Sequence, residues 1–319
     1  MPIPIHDAEA LLDDASLSRT EATGESFPAL EHFRIQNVPP AAYYIPDFIT
    51  KEEEEYLLRR IGESPQPKWK KVGTGRRLQY WGGTMSKKGI LLPEPLPDFL
   101  NEYPDIVERI ESFLRVASSV KGKEKMELGI NQVLINEYQP GQGISPHEDG
   151  PAFHPLVATL SLGSHTVLDL HHYLNPTSPS PPMISSSPSL TEGEMGKSIA
   201  AIPLGHLLLM PRSLLVLSST LYTSHLHAIS SRHKDIIVPR SLSTPTTNPN
   251  GAQSSGIDEE GAVTIANAEL LGDAEVIDAL REGKWIGERG IRTSLTFRRA
   301  EKVLKGGALG VLGNALKRP

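Results

Sequence analysis

The feature that most constrains the fold is an alternation of side-chain character along the chain, which begins near Leu128. It is clearest in residues 156–162, where Leu156, Ala158, Leu160 and Leu162 alternate with Val157, Thr159 and Ser161. A period of two is typical of β-strands, because successive side chains point to opposite faces of a sheet. Further short strands are predicted at 128–138, 166–173, 205–210, 213–218, 221–229 and 290–299. Many short strands favour a β-sandwich or jelly roll.

Helical patterns flank these strands. Thr50 and Glu53 form a capping box that begins a helix ending near Gly62. A second helix is predicted from about Pro104 to Val120, and a short one around 273–281. The predicted fold class is therefore mainly β with flanking helices, α+β, around a double-stranded β-helix, or jelly roll, core.

Four segments lack such patterns. Residues 1–30 are polar and are predicted to form a flexible arm. Two polar segments, near 175–198 and 239–272, are predicted to be disordered insertions. Residues 301–319 form a basic tail. The remaining span, 31–300, is predicted to be one folded domain.

The composition limits the possible chemistry. The chain has no cysteine, which excludes disulfides, zinc–thiolate sites, iron–sulfur clusters and cysteine nucleophiles. Any metal must therefore bind to His, Asp or Glu. The N-terminus is acidic, and no apolar run approaches the roughly 18 residues of a membrane span. These features predict an intracellular protein, in the cytoplasm or nucleus, that is not secreted.

Residues 147–149 read His-Glu-Asp and form a candidate metal-binding motif. On an extended segment, His147 and Asp149 point to the same side and can bind one ion together. Two histidines and a carboxylate suit non-haem Fe(II), because three protein ligands on one face leave positions open for other ligands. The same set suits zinc-dependent hydrolysis.

A third ligand is expected from a distant strand. His225 and His227 lie two residues apart, so both point to one side and spacing does not decide between them. His171 and His172 are further candidates. The alternative interpretation is that each of these histidines simply packs or faces solvent.

The last predicted strand has one polar and one apolar face. Arg292, Ser294, Thr296 and Arg298 share the first, and Ile291, Thr293, Leu295 and Phe297 share the second. An arginine can bind both oxygens of a carboxylate, as anchoring of a dicarboxylate such as 2-oxoglutarate requires. The alternative is a solvated strand face.

A basic segment at residues 64–93 suggests a substrate. It has no acidic residue, and its seven cations are Lys68, Lys70, Lys71, Arg76, Arg77, Lys87 and Lys88. Trp69, Tyr80 and Trp81 are interleaved with them. Cations neutralise phosphates and aromatic rings stack on unpaired bases, so a single-stranded or flipped base is a candidate ligand. The alternative is a solvated basic loop with Trp81 in the core.

The order of these motifs resembles that of the AlkB-like Fe(II)/2-oxoglutarate dioxygenases, most of all the AlkB homologue six branch. The family has an Asn-x-Tyr strand, an HxD, a Ser-Leu-Gly strand, a distal His-Gly-Ile and an R-x5-R strand. The matching residues here are Asn136 and Tyr138, His147 and Asp149, Ser161 to Gly163, His227 to Ile229, and Arg292 and Arg298. Ala228 replaces the usual glycine, and the gap from His227 to Arg292 is enlarged.

The resemblance implies roles for individual residues. His147, Asp149 and His227 would bind iron, and Arg292 would pair with the distal carboxylate of 2-oxoglutarate. The remaining cosubstrate contacts would be Asn136, Tyr138, Ser294 and Arg298, and substrate contacts are expected from Arg76, Arg77, Tyr80 and Trp81.

The implied reaction uses Fe(II), 2-oxoglutarate and O2 to hydroxylate or demethylate RNA, DNA or protein. The alternative is a nucleic-acid-binding module that keeps the fold without efficient turnover.

Overall fold

A computed structural model describes residues 28–73, 75–118, 126–174, 198–239, 245–247, 253–255 and 261–304. Residues 1–27 of the predicted arm, 175–197 of the first insertion and 305–319 of the basic tail lie outside these ranges. No helix in the described ranges is both long enough and apolar enough to cross a membrane.

Strands dominate the described chain. In chain order they are β1 (Ala42–Ile45), β2 (Lys70–Val72), β3 (Arg76–Trp81), β4 (Gly83–Met85), β5 (Leu91–Pro93), β6 (Gln132–Tyr138), β7 (Ile144–His147), β8 (Leu156–Leu162), β9 (Thr166–His172), β10 (Gly205–Leu209), β11 (Leu214–Ser218), β12 (His225–Ile229), β13 (Lys234–Ile237), β14 (Pro245–Thr247), β15 (Gln253–Ser255), β16 (Ala262–Val263), β17 (Trp285–Glu288) and β18 (Arg292–Arg298). The α-helices are α1 (Lys51–Gly62), α2 (Asp98–Asn101), α3 (Ile106–Ala117), α4 (Ser219–Thr223) and α5 (Ala274–Glu282).

Two antiparallel sheets form the core of the fold. Within the described residues, the large sheet has the order β1-β11-β8-β18-β6-β3-β2 and the small sheet has the order β10-β9-β12-β7. The sheets face each other, because Leu168 and Leu209 of the small sheet share one apolar cluster with Leu215 and Leu217 of the large sheet. This arrangement confirms the predicted α+β class with a jelly-roll core.

The other face of the large sheet packs against helices. Leu57 of α1 and Phe113 of α3 belong to a second apolar cluster with Leu160 of β8 and Leu295 of β18. Alternation along each strand therefore sends one set of side chains toward the helices and the other set between the sheets. The predicted polar face of β18 points between the sheets, and not toward solvent as in the alternative interpretation.

The helix starts depend on side-chain caps. The Thr50 hydroxyl accepts from the Glu53 backbone N–H at 3.2 Å and the Glu53 carboxylate accepts from the Thr50 N–H at 2.9 Å, which confirms the capping box. The second predicted helix begins at Ile106 rather than Pro104, because the Asp105 side chain caps it by accepting from the Glu108 N–H.

The predicted strand at 221–229 is wrong over its first residues. A helical turn, α4, occupies Ser219–Thr223, and β12 begins only at His225. Leu221 and Tyr222 are both buried, which adjacent residues on a strand with one solvated face cannot achieve.

The prediction of a disordered insertion through residue 272 is also wrong at its end. Residues 261–272 pack on the fold, with Val263 and Ile265 buried. The Asn267 side chain accepts from the Leu208 N–H at 2.9 Å and donates to the Leu208 carbonyl oxygen at 2.8 Å. In the described residues, β16, β13 and β17 form a third sheet of three strands, with β16 parallel and β17 antiparallel to β13.

Candidate active site

A histidine–aspartate–histidine cluster lies between the two sheets. His147 at the end of β7 and His227 in β12 are register partners, and their ring centroids are 4.3 Å apart. One potential ligand atom from each of His147, Asp149 and His227 lies within 4.8 Å of the other two. Such a set can hold one metal ion on a single face.

Both histidines are suited to metal binding in the neutral form. The Nδ1 of His147 lies 2.9 Å from the Ser145 carbonyl oxygen, which can only accept, so Nδ1 carries the proton and Nε2 keeps a lone pair. Burial lowers the pKa of His227 to about 4; the Asp149 carboxylate opposes this shift and His147 adds to it. His227 is therefore neutral near pH 7.

Register separates the two histidines that spacing cannot. His225 faces His172 on β9, whereas His227 faces His147 on β7. The Nδ1 of His171 lies 3.3 Å from the Ala200 carbonyl oxygen, outside the cluster.

Arg292 is buried at the start of β18 and points between the sheets. Its Nη2 donates to the Ser161 hydroxyl at 2.9 Å, and its buried Nε has no hydrogen-bond partner in the described chain. Burial lowers its pKa to about 10, so the guanidinium stays charged at neutral pH. A buried charge with a free donor suits a carboxylate ligand, since an unsatisfied buried donor is costly.

Arg298 lies at the other end of β18, near the cluster. Its Nε and Nη2 donate to the Gln132 side-chain oxygen at 3.0 and 2.7 Å. Its Nη1 is 3.6 Å from an Asp149 carboxylate oxygen, and its guanidinium lies 4.1 Å from the centre of the Phe153 ring. Burial lowers the Arg298 pKa, and Asp149 partly offsets this effect. Arg298 thus orients the carboxylate of the cluster.

Asn136 and Tyr138 lie beside these arginines on β6. Arg76 of β3 donates a hydrogen bond to the Asn136 side-chain oxygen. The guanidinium groups of Arg76 and Arg292 lie 5.8 and 5.7 Å from the Tyr138 ring centre. Burial raises the pKa of the Tyr138 hydroxyl, so Tyr138 stays neutral beside the two cations.

Strand alternation divides the four predicted substrate contacts into two pairs. Arg76 and Tyr80 of β3 line the cavity between the sheets. Arg77 and Trp81 point to the other face, where Arg77 forms a two-point pair with Glu137 at 2.7 and 2.8 Å. Trp81 packs edge-on against Phe99 with ring centroids 5.8 Å apart. The structure does not bring Arg77 and Trp81 to the cavity.

The cavity encloses about 220 Å³ and unites the predicted metal and cosubstrate residues. Its polar lining includes Arg76, Asn136, Tyr138, His147, Glu148, Asp149, His227, Arg292, Ser294 and Arg298. Among the described residues, no carboxylate lies within ion-pair distance of Arg292, although Arg298 faces Asp149. The donor set fits a divalent metal, and the unpaired Arg292 fits an anionic cosubstrate.

Two buried residues that the sequence does not mark as functional support the arginines. Ser161 accepts from Arg292, and Gln132 accepts twice from Arg298. Both side chains are buried, and each lies beside its arginine in a neighbouring strand. The alternation places Ser161 on one face with Val157 and Thr159, but no sequence signal indicates which arginine it contacts.

Two facing antiparallel sheets that enclose this set of histidine, aspartate and arginine side chains define a class, the jelly-roll oxygenases of the Fe(II)/2-oxoglutarate type. The chain is 38% identical over 224 residues to the "Probable RNA/DNA demethylase ALKBH6" of Danio rerio, covering 70% of this chain and 82% of that protein. The chain belongs to the AlkB-like family of Fe(II)/2-oxoglutarate-dependent dioxygenases and resembles its homologue six branch.

Other comparisons give weaker similarity. The chain is 26% identical over 279 residues to the "tRNA (carboxymethyluridine(34)-5-O)-methyltransferase ALKBH8" of Macaca fascicularis, covering 85% of this chain but only 32% of that protein. Among solved structures, OsALKBH1 aligns with a TM-score of 0.43 and 16% identity, covering 83% of this chain and all of that one. No protein-family model matches the chain.

Proposed function

We propose that this protein is an active Fe(II)- and 2-oxoglutarate-dependent dioxygenase with iron bound by His147, Asp149 and His227. The observation that carries the proposal is the register of β7 and β12, which sets His147 opposite His227 with Asp149 close by. Iron and 2-oxoglutarate would supply the oxidising chemistry, with O2 as the oxidant and succinate as a product.

The cosubstrate would lie between the metal cluster and Arg292. Arg292 would pair with one carboxylate, because its Nε is free and its Nη2 is already held by Ser161. Asn136, Tyr138 and Ser294 line the same cavity and would complete the contacts. Arg298 would keep Asp149 oriented toward the metal. Apolar residues such as Leu168 and Leu215 line the rest of the cavity and would exclude water from it.

The substrate we propose is a methylated nucleic acid, RNA or DNA, that presents an unpaired or flipped base. The Danio rerio relative is named a probable RNA/DNA demethylase, which supports this class. So do Arg76 and Tyr80 in the cavity wall and the exposed Lys70 and Lys71 on the neighbouring strand. A protein substrate remains the second candidate within the same chemistry. We place the reaction in the cytoplasm or nucleus, where both kinds of substrate occur.

One experiment tests the activity. The full chain is reconstituted with Fe(II) without oxygen, and succinate formation is then measured with oxygen and methylated single-stranded RNA and DNA. Wild type should form succinate, and Arg292→Ala should lose most of it, since the dicarboxylate loses its cationic partner. Arg281→Ala is the matched control, because Arg281 is exposed and, among the described residues, forms its ion pair with the nearby Asp278.

Binding measurements separate the alternatives. A protein that binds these oligonucleotides but forms no succinate with them would be a binding module instead. Succinate formation with a methylated peptide alone would favour the protein substrate. The dioxygenase proposal fails if wild type neither binds 2-oxoglutarate nor forms succinate with any of these substrates.

A further inference from the structure

Asp149 is the member of the metal cluster that lies outside a strand. β7 ends at His147 and β12 contains His227, so backbone pairing between these strands fixes both histidines. Residues 148–151 form no backbone–backbone hydrogen bond within the described chain. Gly150, the residue after Asp149, has a φ of 94°, a conformation that glycine adopts at little cost. The carboxylate ligand therefore lies on a segment that strand pairing does not hold.

A side chain from α4 holds this segment. The Tyr222 hydroxyl donates to the Gly150 carbonyl oxygen at 2.9 Å. The Tyr222 ring is buried in the apolar cluster between the sheets. Burial raises the pKa of the Tyr222 hydroxyl and the Asp149 carboxylate adds to this shift, whereas Arg298 opposes it. The hydroxyl is therefore protonated at neutral pH and remains a donor.

The helical turn that carries Tyr222 is itself fixed by both sheets. α4 joins β11 of the large sheet to β12 of the small sheet. At its start, the Ser219 N–H donates to the Pro155 carbonyl oxygen at 3.1 Å. A side chain on such a short connection holds its partner more precisely than one on a long loop. Tyr222 thus links the segment of Asp149 to the strand of His227.

We propose that Tyr222 is a positioning residue for the metal site, because its hydrogen bond to Gly150 keeps the Asp149 carboxylate in place for a divalent ion. This inference rests on the iron site proposed above. The Arg298 guanidinium, 3.6 Å from the same carboxylate, restrains the side chain, whereas Tyr222 restrains the backbone that carries it. Loss of the hydroxyl leaves the ring in place and frees the turn, so metal affinity should fall while the fold is retained.

Nickel titration of the metal-free full chain tests this role without turnover. Ni2+ binds imidazole and carboxylate ligands and is not oxidised by air. In isothermal calorimetry, Tyr222→Phe should bind Ni2+ about tenfold more weakly than wild type, at the lower end of the effect of residues that support metal ligands. Phenylalanine keeps the buried ring, so the variant should fold as wild type does.

Tyr44→Phe is the matched control. Tyr44 is buried, and its hydroxyl accepts from the Met210 N–H at 3.3 Å. It lies on β1, at an edge of the large sheet, and does not line the cavity that holds the metal cluster. The two variants should lose similar stability, but only Tyr222→Phe should lose Ni2+ affinity.

A double-mutant cycle identifies the ligand through which the hydroxyl acts. In the Asp149→Ala background, adding Tyr222→Phe should change Ni2+ affinity by less than about twofold, because no carboxylate remains to be positioned. A tenfold loss in that background would indicate an effect on His227 instead and would overturn the proposal.

Two further results would overturn the role of Tyr222. The first is an equal Ni2+ affinity in wild type and Tyr222→Phe, and the second is an equal loss in Tyr222→Phe and Tyr44→Phe. Both leave the iron site and the dioxygenase activity to their own test. A wild type that binds no Ni2+ would instead contradict the metal site itself, and the role of Tyr222 with it.

Discussion

At the residue scale, a single buried hydroxyl determines how Arg292 is held. Ser161 accepts from Nη2 of Arg292, and the buried Nε has no hydrogen-bond partner in the described chain. Both residues are at most 4% exposed, so a donor without a partner is costly here. The position of the guanidinium therefore depends on β8 as well as on its own strand.

We predict that Ser161→Ala weakens 2-oxoglutarate binding by about 1 kcal/mol, or roughly fivefold, because Arg292 loses one of its restraints. Calorimetric titration of 2-oxoglutarate in the presence of metal measures this change. Ser213→Ala is the control, because Ser213 is equally buried and donates to the Met210 carbonyl oxygen, away from the cavity. The two variants should lose similar stability, but only Ser161→Ala should lose affinity. Equal affinities would contradict the role of Ser161.

At the element scale, β3 shows how one strand serves two purposes. Arg76, Leu78 and Tyr80 line the cavity, while Arg77 and Trp81 support the outer surface of the sheet. The β3–β6 pairing fixes this division, since Leu78 is the register partner of Asn136. The basic segment at residues 64–93 looks like one continuous surface in the sequence. In the structure, alternate side chains of β3 lie on opposite faces of the large sheet.

We predict different effects for the two neighbouring arginines. Arg76→Ala should weaken binding of a single-stranded oligonucleotide and reduce its salt dependence by about one unit of slope, provided that the substrate reaches the cavity. Arg77→Ala should leave binding nearly unchanged and lower stability by less than about 1 kcal/mol, because its pair with Glu137 is partly exposed. Fluorescence anisotropy across a salt series distinguishes them. Identical losses in both variants would argue against the division of β3.

At the scale of the whole molecule, a buried ion pair links the third sheet, formed by β16, β13 and β17, to the start of β18. Arg289 donates to both oxygens of Asp235 at 2.7 and 2.8 Å, and to the Ser230 carbonyl oxygen at 2.8 Å. His165 Nε2 lies 3.3 Å from the same carboxylate. Burial acts to raise the pKa of Asp235, but hydrogen bonds from His165 and Arg289 outweigh it and the pKa is lowered. Arg289 precedes Arg292 by three residues, so the pair helps to fix the strand that holds Arg292.

We predict that Asp235→Asn destabilises the protein by about 3–5 kcal/mol at pH 7, because it leaves the buried Arg289 without a counter-charge. A lowered folded pKa means that the Asp235 contribution is full above the carboxylate's unfolded pKa of about 3.9 and is lost as the pH falls through the lower folded value. The difference between wild type and variant should therefore shrink in acid. Urea unfolding at several pH values measures it.

Asp278→Asn is the control for that measurement. Its carboxylate is exposed and pairs with the exposed Arg281, so its loss should cost less than about 1 kcal/mol. A similar cost for the two aspartate variants would contradict the importance of the buried pair.

The sequence by itself determined which side chains share a face. Alternation in 156–162 and 292–298 predicted the two sets of side chains that share a face, and the capping box predicted the start of α1. The spacing of His147 and Asp149 predicted a shared ligand face, and both lie in one cluster. These features depend only on the local period of the backbone, which a strand or helix repeats regardless of its neighbours.

Only the tertiary structure decided which strands lie side by side. Spacing leaves His225 and His227 equivalent, but the register of β12 against β7 sets His227 opposite His147. In the same way, the place of β3 beside β6 decides that Arg76 rather than Arg77 faces the cavity, and contacts with Leu208 hold the segment around Asn267. Register between distant strands depends on how the whole core packs, and the alternation within a single strand does not encode it.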